Sequence, residues 1–196
     1  ELGYRMVIDD VIKYAKAYGL GIKTGIELSG EAEGIVDLKK QCETLYGQKW
    51  QLGDTLSAVI GQSYNDYTPI QIARYTSMLA NGGKAVDVTL IKSITDTNGN
   101  KIPKEEYETK IKEKLGITDI PKIEDLNIKK ENLSAIIKGM KGVTSEVGGT
   151  AYYVFSDLDI EIGGKTGSAE TGINNQVNGW FAGFAPYDNP EIAVVV

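Results

Sequence analysis

Three segments of the chain carry apolar residues at the three- and four-residue spacing of a helix that buries one face. This spacing predicts a first helix over residues 4–18, ended by the glycine that follows, and a third over residues 133–143. The second helix is predicted to begin after Thr68, because a threonine cap, Pro69 at the first helical position and Gln71 as the capping-box partner form a strong start signal. The apolar positions in chain order are Val7, Ile8, Val11, Ile12, Ala15 and Tyr18, then Ile70, Ala73, Tyr75, Met78 and Leu79, then Leu133, Ile136, Ile137, Met140 and Val143.

Alternating apolar and polar residues predict a hairpin in the middle of the chain. Residues 84–96 favour a strand, the turn residues 96–100 follow, and Lys101 begins the return strand. The next segment, residues 103–130, is rich in lysine and glutamate, so we expect a solvated helix and loop there.

The last stretch of the chain predicts three more strands, around 160–170, around 177–185 and from 191 onward. Asn174-Asn175 and residues 187–190 supply turns between them. Such short connections favour antiparallel pairing. The fold class predicted from these patterns is α+β, with an antiparallel β-sheet packed by helices.

Composition limits the chemistry. The chain has 196 residues, enough for one domain with a hydrophobic core, and its net charge of −6 without a basic stripe argues against a nucleic-acid partner. It has no histidine and one cysteine, Cys42, so histidine-based triads, internal disulfides and cysteine or histidine metal clusters are excluded. We therefore expect no metal or cofactor, and acid–base chemistry is left to lysine, carboxylates and tyrosine. No apolar run approaches the length of a membrane span.

The most informative stretch is residues 163–170, Gly-Gly-Lys-Thr-Gly-Ser-Ala-Glu. It combines a cation, two hydroxyls and glycines, which can hold a carboxylate while backbone N–H groups lie close to a reacting carbonyl. A phosphate-binding P-loop also contains Gly-Lys-Thr, but Asp159 stands where that motif requires its first glycine. Taken alone, the tripeptide also fits a surface lysine on an edge strand with a glycine bulge. A second copy, Lys23-Thr24-Gly25, follows a helix among glycines and is expected to be a loop or short strand without this role.

Several further strings, in a fixed order, resemble the transpeptidase domain of the class B penicillin-binding proteins, of which Lys-Thr-Gly is one of three signature elements. The resemblance covers most of the chain and looks most like the elongation-type penicillin-binding protein 2 branch. The strings are Gly19-Leu20-Gly21, Thr24-Gly25-Ile26-Glu27-Leu28, Trp50-Gln51-Leu52-Gly53-Asp54-Thr55, Ile60-Gly61-Gln62, Thr68-Pro69-Ile70-Gln71-Ile72-Ala73, Leu79-Ala80-Asn81-Gly82-Gly83, Gly164-Lys165-Thr166-Gly167-Ser168-Ala169-Glu170, Trp180-Phe181-Ala182-Gly183-Phe184-Ala185-Pro186 and Pro190-Glu191-Ile192-Ala193-Val194.

The resemblance implies a penicillin-binding and serine β-lactamase-like fold, with residues 1–196 as the C-terminal portion of one transpeptidase domain, incomplete at both ends. It implies D,D-transpeptidation of peptidoglycan stem peptides through an acyl-serine, and acylation of the same serine by β-lactams. On this mapping Lys165, Thr166 and Gly167 belong to the catalytic site. Lys165 supplies charge to the substrate carboxylate, and Thr166 and Ser168 offer it hydroxyls. Gly167 leaves room for the ligand, and the Ser168 N–H is an oxyanion donor.

The other two signature elements are missing from the sequence. No serine has a lysine three residues later; Ser134 with Lys138 comes nearest, and Lys138 is interpreted as an exposed helical lysine. Ser63-Tyr64-Asn65 matches Ser-x-Asn but stands out of the family's order, so we interpret it as a coincidence. The chain alone is therefore expected to be inactive, with the nucleophile upstream of Glu1.

Two other functions stay open from the sequence: a non-catalytic penicillin-recognising or scaffold domain, and a serine β-lactamase or sensor. The transpeptidase resemblance implies stem peptides ending in D-Ala-D-Ala, β-lactam antibiotics, and cell-wall elongation or division proteins as partners. It also implies an N-terminal membrane anchor outside this sequence and work at the extracytoplasmic face of a bacterial cell membrane.

Overall fold

A computed structural model describes residues 2–117, 120–171 and 176–196 of the chain. Within these ranges the helices and strands are α1 (Leu2–Arg5), α2 (Ile8–Ala17), α3 (Leu38–Tyr46), α4 (Leu52–Ala58), α5 (Pro69–Ala80), β1 (Ile94–Thr95), β2 (Lys101–Ile102), α6 (Lys104–Lys114), α7 (Lys130–Ser145), α8 (Tyr152–Phe155), β3 (Gly163–Glu170), β4 (Val177–Ala185) and β5 (Ile192–Val195). The predicted α+β class, an antiparallel sheet packed by helices, is confirmed.

The helix predicted after Thr68 is confirmed as α5. The Thr68 hydroxyl accepts a hydrogen bond from the Gln71 N–H at 3.4 Å, and the Gln71 side-chain oxygen accepts one from the Thr68 N–H at 3.4 Å, which completes the capping box. The first predicted helix is divided in two: residues 4 and 5 belong to α1, Met6 and Val7 are not helical, and α2 begins at Ile8. Val7 takes an extended conformation and is 57% exposed, whereas Ile8 is 4% exposed, so the buried face starts one residue further on.

The strand predicted over residues 84–96 is wrong except at its end, where β1 pairs with β2 in the predicted hairpin. Side chains from distant segments bind the intervening backbone instead. The Ala85 N–H donates to the Asp125 carboxylate at 2.7 Å, and the Leu90 N–H donates to Glu27 at 2.8 Å. These donors are therefore not available to a strand ladder.

Three helices were not identified from the sequence: α3, α4 and the short α8. Helix α3 buries only Leu38 and Cys42, and α4 buries only Thr55 and Ala58. Two buried positions are too few to produce a periodic signal against the surrounding polar residues.

Helix α6 confirms the solvated helix predicted within residues 103–130, since none of its residues is buried. The loop after it returns to the body of the molecule, where the Leu126 N–H donates to the Gly83 carbonyl at 2.7 Å.

The three strands predicted near the C-terminal end are confirmed as β3, β4 and β5, which form an antiparallel sheet in that order. Helices α5 and α7 pack against this sheet, and their Leu79 and Met140 form a core cluster with Phe184 of β4. A second cluster joins α2, α3 and α4 through Ile8, Leu38 and Ala58. The turn predicted at Asn174-Asn175 lies outside the described residues. Among the described strands β3 has a partner on one side only, which leaves its other edge open.

Candidate functional site on strand β3

Two glycines allow β3 to lie directly on aromatic rings of the neighbouring strand. A Cβ atom at Gly163 would come within 2.5 Å of the Phe184 ring, and one at Gly164 within 2.5 Å of the Phe181 ring. Both glycines are buried. No larger residue fits at either position without displacing a ring. The close packing of the two glycines on these rings therefore fixes the position of the first half of β3 against the core.

Side chains of helix α7 bind the residues that lead into β3. The Thr144 hydroxyl, buried at the end of α7, donates to the Ile162 carbonyl at 2.5 Å. The Lys141 ammonium binds the Glu161 carboxylate at 2.8 Å and lies 4.6 Å from the centroid of the Tyr187 ring. The hydrogen bond to Glu161 raises the pKa of Lys141, so this attachment is charged at neutral pH.

The Lys165 side chain is exposed and lines an open groove of about 760 Å³ between β3 and the C-terminal half of α7. The ammonium donates to the carbonyl of Thr166. On the α7 side the groove is lined by small residues, among them Gly139 and Gly142. Lys138 lines the same groove. The Glu146 carboxylate also lines the groove, so its two lysines leave one net positive charge, a setting that favours an anionic ligand.

The pairing of β4 decides which way the backbone of β3 points. Phe181 exchanges two hydrogen bonds with Val196 on the β5 side, both at 2.9 Å, so its N–H and C=O face away from β3. The residue of β3 opposite Phe181 is Thr166. Two positions further along β3, Ser168 lies opposite Gly179. In an antiparallel ladder hydrogen-bonded and non-hydrogen-bonded pairs alternate. Thr166 and Ser168 therefore direct their N–H and C=O groups to the open edge.

The side chains and carbonyls along this edge have contacts from two other segments. The Thr166 hydroxyl lies 2.6 Å from the Thr150 hydroxyl, and the Ser168 carbonyl accepts a hydrogen bond from the Gln62 side chain at 3.0 Å. Gly167 between them is exposed, and a Cβ atom there would meet only the Cβ of Trp180 at 3.4 Å. The strand is thus uncovered at Gly167, whereas the Ser168 carbonyl already has a partner in Gln62.

The four residues singled out from the sequence, Lys165, Thr166, Gly167 and Ser168, thus lie together in the middle of β3. Sequence reasoning missed Gln62 and Thr150. The sequence around Thr150, Gly148-Gly149-Thr150-Ala151, offers only a threonine between small residues as a signal.

The second Lys-Thr-Gly copy has a different environment. It lies in a loop, as predicted, and its threonine is buried. Glu31 accepts hydrogen bonds from the Thr24 amide at 2.6 Å, from its hydroxyl at 2.7 Å and from the Gly25 amide at 3.0 Å. The polar groups that a ligand would need are therefore already bonded to one carboxylate.

The Ser-x-Asn match lies in the turn between α4 and α5. Ser63 has a φ angle of 71°, a left-handed conformation that non-glycine residues seldom adopt. The Asn65 amide donates to the carbonyls of Ala58 and Gln62 at 3.0 and 2.7 Å, and its oxygen accepts from the Tyr67 hydroxyl. Asn65 therefore closes its own turn.

Across residues 2–117, 120–171 and 176–196 no three His, Cys, Asp or Glu side chains are grouped as they would be around a metal ion. In the same ranges, none of the helices combines the length and apolar character needed to cross a bilayer.

The sequence matches one protein family along its whole length. Residues 1–196 match the family described as penicillin binding protein transpeptidase domain. The chain therefore belongs to the transpeptidase family of penicillin-binding proteins.

Individual relatives narrow this class to the penicillin-binding protein 2 type. The peptidoglycan D,D-transpeptidase MrdA of Haemophilus influenzae is 31% identical over 212 residues, which cover 100% of this chain and 30% of the relative. The structure of Pseudomonas aeruginosa PBP2 in complex with WCK 5153 has a TM-score of 0.79 and 30% identity, covering 99% of this chain and 40% of that one. The complex of PBP2 and MreC from Helicobacter pylori has a TM-score of 0.75 and 27% identity, covering 99% of this chain and 32% of that one.

The predicted resemblance to this branch is confirmed by these relatives. The chain spans only 30% of the length of the Haemophilus protein.

Proposed function

We propose that this chain forms the substrate-binding part of a peptidoglycan D,D-transpeptidase that cross-links stem peptides through an acyl-serine intermediate. Residues 1–196 are the C-terminal portion of its transpeptidase domain. The observation that carries the proposal is the open edge of β3, where Thr166 and Ser168 direct backbone groups outward beside the Lys165 ammonium.

The stem peptide adds to this edge as an extended strand, bound by the outward N–H groups of Thr166 and Ser168, since an edge strand can bind an extended peptide through its outward backbone groups. The Lys165 ammonium and the hydroxyls of Thr166 and Ser168 bind its terminal carboxylate. Gly167 has no side chain to block the approach. The Ser168 N–H points to the open side and donates to the oxygen of the scissile carbonyl as that oxygen gains negative charge.

The nucleophile is a serine supplied by sequence upstream of Glu1. Its hydroxyl oxygen bonds to the carbonyl carbon, the C–N bond to the terminal D-alanine breaks, and the hydroxyl proton leaves on the released amine. An amine of a second stem then attacks the ester, forms the new amide, and returns a proton to the serine. A β-lactam enters by the same first step, but its ring opens and the amine stays attached.

The intact protein is anchored by an upstream segment and acts at the extracytoplasmic face of the cell membrane. Its partners are proteins of cell-wall elongation or division. The complex of the Helicobacter pylori relative with MreC supports a partner of that kind.

Labelling with a fluorescent penicillin tests the proposal. The intact protein is expected to be labelled covalently, and an excess of unlabelled penicillin is expected to prevent it. The isolated 196-residue chain is expected to stay unlabelled, because the serine is upstream. An intact protein that takes no label would contradict the proposed function, and a labelled isolated chain would contradict the assignment of the nucleophile.

A further inference from the structure

The Thr150 hydroxyl lies 2.6 Å from the Thr166 hydroxyl, well inside the range of an O–H···O hydrogen bond. We propose that Thr150 is a positioning residue that orients the Thr166 hydroxyl toward the carboxylate of the bound ligand. This inference rests on the function proposed above and adds a residue to it.

Each threonine hydroxyl carries one proton, so the pair has two arrangements. If Thr166 donates to Thr150, its proton is directed away from the ligand. If Thr150 donates, the Thr166 oxygen is the acceptor and its own proton is free to bind an anion. A carboxylate in the groove selects the second arrangement, because it can only accept.

The backbone around Thr150 is fixed on both sides. A Cβ atom at Gly149 would lie 2.4 Å from the Gly142 carbonyl oxygen, so this residue packs directly against α7. On the other side Ala151 is buried, and its N–H donates to the Val143 carbonyl at 3.0 Å. Thr150 is itself exposed and lines the same groove as Lys165. The fold thus holds an exposed hydroxyl in place beside β3, where its contact is the hydroxyl of Thr166.

The test compares acylation of the intact protein by benzylpenicillin and by its methyl ester, which lacks the anion. Thr150→Val keeps the side-chain shape and removes the hydroxyl. We expect it to lower the second-order rate constant for benzylpenicillin about tenfold, the factor that corresponds to one hydrogen bond to a charged group. The ratio of acid to ester rates is expected to fall by about the same factor. Thr150→Ser, which retains the hydroxyl, is expected to restore the ratio.

Two further variants separate positioning from a structural effect. Thr109→Val makes the same exchange on the exposed surface of α6 and is expected to change neither rate. In a background that already carries Thr166→Val, adding Thr150→Val is expected to have no further effect, since residues that act through one another are not additive.

The outcomes distinguish this inference from the proposed function. A wild-type protein that benzylpenicillin does not acylate overturns both. If Thr166→Val lowers the acid-to-ester ratio and Thr150→Val does not, only the role of Thr150 is overturned. Equal losses for acid and ester in Thr150→Val, or full additivity in the double variant, also overturn it.

Discussion

Lys165 and Lys23 begin the same three-residue sequence, but their surroundings differ. Lys165 lines a groove on an edge strand, whereas the threonine and glycine after Lys23 are bonded to Glu31. Lys165→Met removes the charge and keeps most of the length. We expect it to lower the rate of β-lactam acylation in the intact protein about 10- to 150-fold, the range of a hydrogen bond between charged groups.

Lys23→Met is the matched control and is expected to leave that rate within about twofold of the wild type. Equal losses in the two variants would mean that the groove beside β3 does not bind the anion.

The Glu27 carboxyl is expected to make the stability of the fold depend on pH. Burial acts to raise the pKa of this carboxyl, but hydrogen bonds from the Thr89 hydroxyl and the Leu90 amide outweigh burial, and the pKa lies below its ordinary 4.5. The unfolded chain therefore binds a proton at a higher pH than the folded one, and stability is lost as pH falls from 4.5 through the folded pKa.

Glu27→Gln should remove this dependence. The melting temperature of the intact transpeptidase domain is expected to fall in the variant at pH 7, and the difference from wild type is expected to shrink as pH drops through that window. A difference that stays constant with pH would show that the charge of Glu27 is not involved.

At the scale of one strand, Gly163 and Gly179 test how tightly β3 is held. A Cβ atom at Gly163 would meet the Phe184 ring, while one at Gly179 on β4 would meet no atom within 4 Å. Gly163→Ala is expected to destabilise the domain by about 1–3 kcal/mol through overpacking. Gly179→Ala is expected to be neutral or slightly stabilising, since alanine restricts the unfolded chain. Denaturant unfolding of both variants measures the difference, and equal stabilities would contradict the packing described for β3.

The Thr68 cap at the N-terminus of α5 is expected to contribute to the stability of the domain. Thr68→Ala removes the cap and is expected to cost about 1 kcal/mol, whereas Thr97→Ala, in the exposed β1–β2 turn, is expected to cost almost nothing. Thermal unfolding of the two variants checks this. A Thr97→Ala variant as unstable as Thr68→Ala would show that the loss in Thr68→Ala is not due to the missing cap.

The start of α5 and residues 84–93 show how far the local sequence predicts helices and strands. The start of α5 depends on Thr68, Pro69 and Gln71, which are neighbours in the chain, so the local sequence was sufficient. Residues 84–93 have the alternation of a strand, but Asp125 and Glu27 bind their backbone from 40 and 63 residues away. Propensity cannot anticipate such partners, because it describes only neighbours in sequence.

Across the whole molecule, Gln71 connects α5 to the loop that contains the second Lys-Thr-Gly. Its side chain is fully buried. It bonds the amide of Gly21 at 3.3 Å and the carbonyls of Ile22 and Glu33 at 3.0 and 2.8 Å, besides closing the cap of its own helix. Gln71→Met has a similar volume but leaves these groups buried without partners. We expect a loss of about 3 kcal/mol or more in the free energy of unfolding.

Gln48→Met makes the same exchange at an exposed position after α3 and is expected to change stability by less than about 0.5 kcal/mol. Denaturant unfolding of the two variants tests the difference. A Gln71→Met domain as stable as Gln48→Met would mean that water replaces the lost partners.

The candidate site was predictable in part for the same reason. Lys165, Thr166, Gly167 and Ser168 are consecutive, so a short motif identifies them. The contacts of Gln62 with Ser168 and of Thr150 with Thr166 cross 106 and 16 residues and follow from tertiary packing. The direction of the β3 backbone required the pairing of β4 with the last residue of the chain.

An open edge such as that of β3 also invites unwanted pairing with a second copy of the same strand. The Lys165 ammonium lies beside that edge, where it donates to the Thr166 carbonyl, so two copies brought side by side would place like charges close together, whereas a peptide tail of opposite charge is attracted. On the proposed function, one cation thereby favours an anionic peptide over a second copy of β3, which lets the strand stay exposed with less tendency to aggregate.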